Sequence, residues 1–210
     1  MRKLFLPSCF ALLFLTSCLG AAMDITIRAN GSGRIVLEYR VSQMLESLGR
    51  LDGNERWPAI PVGRADLERS VARVPGLRLS SFSTVDAPGG DLVTRAVLDF
   101  RNTDALLAFL DITGNRASLV RENGGNVLRL VLLEPSDEIG NPELLSLFRD
   151  VSAGYEIRIN LTLPGNASLA MVPAQVPNAR VELNGRNVSF ALGTGYLPSI
   201  TEGLTLEVSW

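Results

Sequence analysis

Cys18 is the residue whose chemistry is easiest to read. It closes the tetrapeptide Leu15-Thr16-Ser17-Cys18, in which small polar residues lead straight into a thiol. Upstream, Arg2 and Lys3 supply positive charge, and Leu4 to Phe14 form an apolar run interrupted only by Pro7 and Ser8. Charge, a short apolar stretch and small residues at a cut, in that order, make a secretory signal. With cysteine in the last place they make the bacterial lipobox. The pattern predicts cleavage between Ser17 and Cys18, a diacylglyceryl thioether on the Cys18 sulfur, and acylation of the freed amine by a chain of the palmitate kind. One acyl chain holds a protein on a membrane only marginally, whereas two or more hold it stably. An uncleaved membrane helix is a poor reading, because the apolar run is shorter than the roughly 20 residues a span needs. An ordinary signal cut near Ala21-Ala22 would ignore a four-residue box in register with the apolar run.

Two other groups of residues carry chemistry. Asp137, Glu138, Asp150 and Glu156 could supply a carboxylate pair for glycoside hydrolysis, which needs two acids facing each other across a cleft. Solvated acids in loops and at helix ends are the plainer reading, since acids stay exposed. No EF-hand spacing joins them for calcium. Trp57 lies between Arg56 and Pro58 in the stretch 52–63. An aromatic beside an arginine can dock a lipid headgroup or a sugar, making Arg56 and Trp57 a candidate ligand loop. The competing reading folds Trp57 back onto the core. Three Asn-X-Ser/Thr triplets, at Asn160, Asn166 and Asn187, are chance matches in a bacterial lipoprotein.

The missing residue types narrow the chemistry further. There is no histidine, Lys3 is the only lysine, and Cys9 joins Cys18 as the only other cysteine. Removal of residues 1–17 would take Lys3 and Cys9 away. The remaining chain could not build a Ser-His-Asp triad, a thiol nucleophile, a Schiff base or a zinc site of His and Cys. It has no Walker lysine. A non-enzymatic protein without metal or cofactor is therefore expected. Loss of Arg2 and Lys3 leaves 18 arginines against 22 acids, a net charge of −4 with no basic block, which disfavours nucleic acid as a partner. A composition 46% apolar and 20% charged is that of a globular chain.

The elements that would position these residues can be read from periodicity. Residues 18–22 are expected to be the lipidated cysteine and a very short tether. Residues 23–210 then form one domain. Ile25 and Ile27, then Ile35, Leu37, Tyr39 and Val41, alternate with polar positions around Asn30-Gly31-Ser32-Gly33, a hairpin pattern. Ser42 can cap a short helix carrying Met44, Leu45 and Leu48. Leu67, Val71 and Val74 mark a helix stopped by Pro75-Gly76. Hairpins follow at 77–86 with 91–100, and at 116–122 with 126–133. Between them Asn102 or Thr103 caps a helix holding Leu106, Leu107, Phe109 and Leu110. Asn141-Pro142-Glu143 opens another helix, with Leu144, Leu147, Phe148 and Val151 on one stripe. The part from about 155 to 210 is β-rich: a strand through Tyr155–Leu163, a hairpin across Asn184-Gly185, and a terminal strand at 204–210. Hairpins alternating with single helices predict an α+β domain, an antiparallel sheet with helices packed on one face.

A lipobox, then Met23-Asp24-Ile25-Thr26-Ile27 and the turn Asn30-Gly31-Ser32-Gly33, then a late strand ending in Leu163-Pro164-Gly165 and the hairpin from Asn184 to Phe190, resemble the LppM-type bacterial envelope lipoproteins. The likeness would extend over most of 23–210. It implies an α+β fold and binding of a lipid or glycolipid. The family's late hairpin strand carries a tryptophan where this chain has Phe190, and no binding residue is carried over.

The expectation is a protein lipid-anchored to a membrane of the bacterial cell envelope, on its periplasmic or surface face, that binds a lipid, glycolipid or other amphipathic envelope component. The alternatives are a module docking on another envelope protein, through an edge strand at 204–210, or a carboxylate-dependent hydrolase. Leu19 follows Cys18, so no acid there points to inner-membrane retention.

Overall fold

A computed structural model of the chain describes residues 19–41, 63–87, 91–111, 116–122, 124–135, 152, 154–172, 176 and 178–210. Residues 1–18, and with them Ser17 and Cys18, lie outside these. So do the helix expected from Ser42, nearly all of the 52–63 loop, and the helix expected over 142–151.

The described chain runs β1 (Leu19–Ile27), β2 (Gly33–Val41), α1 (Arg64–Ala72), β3 (Leu77–Asp86), β4 (Leu92–Phe100), α2 (Thr103–Leu110), β5 (Ala117–Glu122), β6 (Gly125–Leu133), β7 (Glu156–Thr162), β8 (Leu169–Met171), β9 (Arg180–Asn184), β10 (Asn187–Gly193), a short 3-10 helix (Thr194–Ser199) and β11 (Leu204–Ser209). The expected hairpins are all present. Two sheets result. Seven strands form one in the order β3-β4-β2-β1-β7-β10-β9, and four form the other in the order β5-β6-β11-β8.

Burial follows the period of two that strand geometry imposes. Ile25, Ile27, Ile35, Leu37, Leu98, Ile159, Leu161, Val188 and Phe190 point from the large sheet into the core, each at 4% exposure or less. Leu128, Leu130, Leu206 and Val208 of the small sheet join the same cluster, as do Leu67 and Val71 of α1 and Ala105 and Leu106 of α2. The expected single sheet under a layer of helices is therefore corrected: a second sheet as well as helices supplies the core. α1 lacks a side-chain cap at Gly63, whereas the Asn102 side chain caps α2 by accepting from the Ala105 N–H at 3.0 Å.

Three further differences have physical causes. Residues 19–22 are not a tether but the first residues of β1, paired from Leu19 opposite Val41 to Ala22 opposite Glu38. Gly20, Ala21 and Ala22 carry too little bulk to announce a strand by hydrophobic alternation. The centre of the large sheet contains a parallel pair, β1 with β7. Parallel pairing needs a long crossover, and no hairpin pattern can signal it. Lastly, β11 is not an edge. It lies between β6 and β8, with Leu204, Leu206 and Val208 buried; β6 pairs along its whole length and β8 along Glu207 to Ser209.

The β9–β10 turn also shifts by one residue. Asn184 pairs with Asn187, leaving Gly185-Arg186 as the loop. Gly185 has φ 57 and Arg186 does not turn positive, the φ pattern of a type II′ turn with glycine first.

Candidate functional site

The outward face of the large sheet is polar. On β1 it presents Gly20, Ala22, Asp24 and Thr26, the positions opposite Arg40, Glu38, Val36 and Arg34 of β2. On the other side of β1, Ala22, Asp24 and Thr26 lie beside Arg158, Asn160 and Thr162 of β7. Long side chains thus stand on both flanks of a strand whose first two outward residues have almost no side chain.

The consequence is a groove of about 150 Å³, open to solvent. Gly20 and Ala22 form its floor. Glu38 and Arg40 stand on one wall, Glu156 and Arg158 on the other, and Gly154 and Tyr155 complete the lining. A Cβ at Gly20 would meet the Tyr155 ring at 3.5 Å and Arg40 Cβ at 3.6 Å, ordinary contact distances. The space above Gly20 is therefore accessible to a ligand and narrow enough to be filled by a side chain.

Each wall is braced. Arg40 Nε donates to Asp91 Oδ2 at 2.6 Å, and the Tyr155 hydroxyl donates to Asp91 Oδ1 at 3.2 Å. Arg158 Nε lies 3.2 Å from Glu156 Oε1, and Arg180 of β9 lies 3.3 Å from Glu156 Oε2. Among the described residues Glu38 has no ion-pair partner. Arg95 lies across from Glu38 in register on β4, without forming a pair with it.

At the opposite end of the same face is a tighter cluster. Asp99 pairs with Arg34 Nε at 2.8 Å and with Arg78 Nη2 at 3.2 Å, and it also accepts from the Ser80 hydroxyl. The hydrogen bond from Arg34, then that from Ser80, hold the Asp99 carboxyl at a pKa of about 2. Arg34 is in turn raised above its ordinary value, chiefly by its hydrogen bond to Asp99. This cluster ties β2, β4 and β3 together. A third group, Arg129 between Glu207 at 2.8 Å and Glu122 at 3.2 Å, braces the small sheet.

Of the residues singled out from sequence, Ser17, Cys18, Arg56, Trp57, Asp137, Glu138 and Asp150 lie outside the described residues. Glu156 is described. It holds two guanidinium groups, those of Arg158 and Arg180, on a groove wall. The groove residues Gly20, Ala22, Glu38, Arg40, Tyr155 and Arg158 were not singled out. The available signal was the alternation of Ile25 and Ile27 carried upstream through Met23 and Ala21, which puts Gly20 and Ala22 on the solvent face. Among the described residues no helix is long and apolar enough to cross a membrane, and no cluster of three acids or cysteines is placed to hold a metal.

No family model matches the chain, and no curated protein matches its sequence. Among solved structures it is similar to the folded domain of the LppM protein of Mycobacterium tuberculosis, determined by NMR, with a TM-score of 0.50 and 14% identity over 92% of this chain and 90% of that one. At that identity the likeness concerns the fold, and it extends over nearly the whole of both chains.

Proposed function

We propose that this chain is a bacterial envelope lipoprotein, held on a membrane by acyl chains on Cys18, that binds an amphipathic envelope molecule, a lipid or glycolipid, without catalysing a reaction. One observation carries the reading: the groove floor begins at Gly20, two residues after the lipobox cysteine. An extended chain advances at most about 3.6 Å per residue, so the groove lies within a headgroup's length of the anchor. The lipobox pattern, the missing nucleophile types and the LppM-like fold support the same reading.

Two measurements test it. Growth with a labelled fatty acid should label the full chain and leave a Cys18→Ser chain unlabelled. Native mass spectrometry of the full chain, incubated with an envelope lipid extract, should give a discrete added mass belonging to one lipid class. Incorporation that survives Cys18→Ser, or a bare protein mass after incubation, would sink the reading.

A second reading, docking on another envelope protein, keeps one supporting observation. β8 is an edge strand carrying Leu169 at 41% and Met171 at 48% exposure. An apolar edge strand invites pairing with another chain. Cross-linking from β8 in cells should then capture one defined partner.

A further inference from the structure

From the charge pattern of the Gly20–Ala22 groove we infer that it receives a zwitterionic phosphoester headgroup, a phosphate joined to an ammonium, from a lipid of the leaflet that holds the anchor. The inference rests on the proposed lipid-binding reading and names its ligand class.

The lining carries two acids and two arginines, so its formal charge is zero. The signs are crossed. Glu38 and Arg158 face each other over Ala22. Arg40 stands over Gly20 on the Glu38 side, and Glu156 on the Arg158 side. Strands lie about 4.8 Å apart, so the two walls stand roughly 10 Å apart at the backbone, and their side chains reach inward from there. A plain anion would meet Glu38 and Glu156 as well as the arginines. A plain cation would meet Arg40 and Arg158. A molecule carrying both charges a few ångströms apart satisfies both walls at once.

The groups are available for it. Glu38 is exposed and has no ion-pair partner among the described residues. Arg158 is half exposed and spends its Nε on Glu156, which leaves its terminal N–H groups for a phosphate. Guanidinium N–H groups match phosphate oxygens in pairs. No apolar side chain larger than alanine, Tyr155 apart, lines the groove. Acyl chains gain nothing there, so the groove takes the headgroup while the chains stay in the bilayer.

The test uses the full acylated chain in detergent, followed by NMR at the amides of Gly20, Ala22 and Gly154. Glycerophosphoethanolamine should give saturable shifts at these amides. Glycerophosphoglycerol and inorganic phosphate should bind roughly ten-fold more weakly, and Glu38→Gln or Arg158→Gln should each weaken the zwitterion by a similar factor. Nanodiscs of phosphatidylethanolamine should reproduce the shifts, and nanodiscs of phosphatidylglycerol should not. Equal binding of all three soluble probes would overturn the zwitterion, as would indifference to Glu38→Gln. Silent groove amides, with lipid mass still added from the extract, would overturn this site and leave the lipid-binding reading standing. Saturation by the soluble headgroup with no lipid mass added and no nanodisc response would overturn the lipid source.

Discussion

Arg40 and Tyr155 are held by one carboxylate: Asp91 takes the arginine on Oδ2 at 2.6 Å and the phenol on Oδ1 at 3.2 Å. Arg40 belongs to β2 and Tyr155 precedes β7, and β1 runs between those two strands. Asp91 is therefore a clasp across the end of β1, only 15% exposed, while Arg40 is half exposed. Asp91→Ala removes one charge-assisted bond and the carboxylate oxygen to which the Tyr155 hydroxyl donates. Screening of the exposed arginine limits the cost to about 1.5 kcal/mol, or a fall in melting temperature of about 5 °C. Tyr155→Phe should cost less by itself and almost nothing more in the Asp91→Ala background. Additive losses in thermal melts of the two single variants and the double variant would show that the clasp is not shared.

Asp99 makes stability depend on acid. Its folded carboxyl titrates near 2, below its ordinary 3.8, because Arg34 and Ser80 hydrogen-bond the charged form. A group whose pKa is lowered by folding stabilises above its unfolded pKa and loses that contribution as pH falls through the folded value. The window is thus from about pH 4 down to about pH 2. The contribution is roughly 1 kcal/mol once solvent screening of this surface cluster is allowed for. In urea titrations Asp99→Asn should be less stable than the native chain at pH 7, and the gap should shrink from about pH 4 and be mostly gone near pH 2. A gap unchanged with pH would show that Asp99 acts by shape alone.

Two glycines on the same strand pair should behave oppositely. A Cβ at Gly33 would lie 1.9 Å from the Thr26 carbonyl oxygen and 2.3 Å from Phe100 Cζ, and backbone cannot yield that far. Gly33→Ala should cost about 3 kcal/mol or prevent folding. Gly20→Ala meets nothing closer than 3.5 Å and should fold with an unchanged melting temperature. Gly20→Val, still folded, should fill the groove and abolish the headgroup response. Retained binding in Gly20→Val would mean that the ligand lies elsewhere.

What the sequence disclosed depended on side-chain bulk and on short range. Ile35, Leu37 and Tyr39 announce β2 by alternation, and Asn102 announces α2 by its capping chemistry, each from a few neighbouring residues. The pairing of β1 with β7 joins residues more than a hundred positions apart, and no local pattern encodes it. β8, three residues long, is too short to show a period. The groove was hidden for a related reason. Gly20 and Ala22 are so small that they read as linker, and that same smallness opens the space between the walls.

That reading of residues 19–22 leads to the most discriminating variants. If these residues were a tether, deleting them would shorten the distance to the anchor and leave the domain's stability alone. As strand, they pair with β2 from Leu19 opposite Val41 to Ala22 opposite Glu38, and with β7 at Ala21 and Ala22. Deleting residues 19–22 therefore removes several ladder hydrogen bonds from the centre of the sheet. At about 1 kcal/mol net for each, the loss is roughly 3 kcal/mol, or about 10 °C in melting temperature for a chain of this size. Cys18→Ser lies before the first pair among the described residues and should leave the melting temperature unchanged while abolishing acylation and releasing the protein from the membrane fraction. Thermal melts of the two variants beside the native chain separate anchor from fold. A deletion as stable as the native chain would return residues 19–22 to the role of a tether, and the groove would lose its floor.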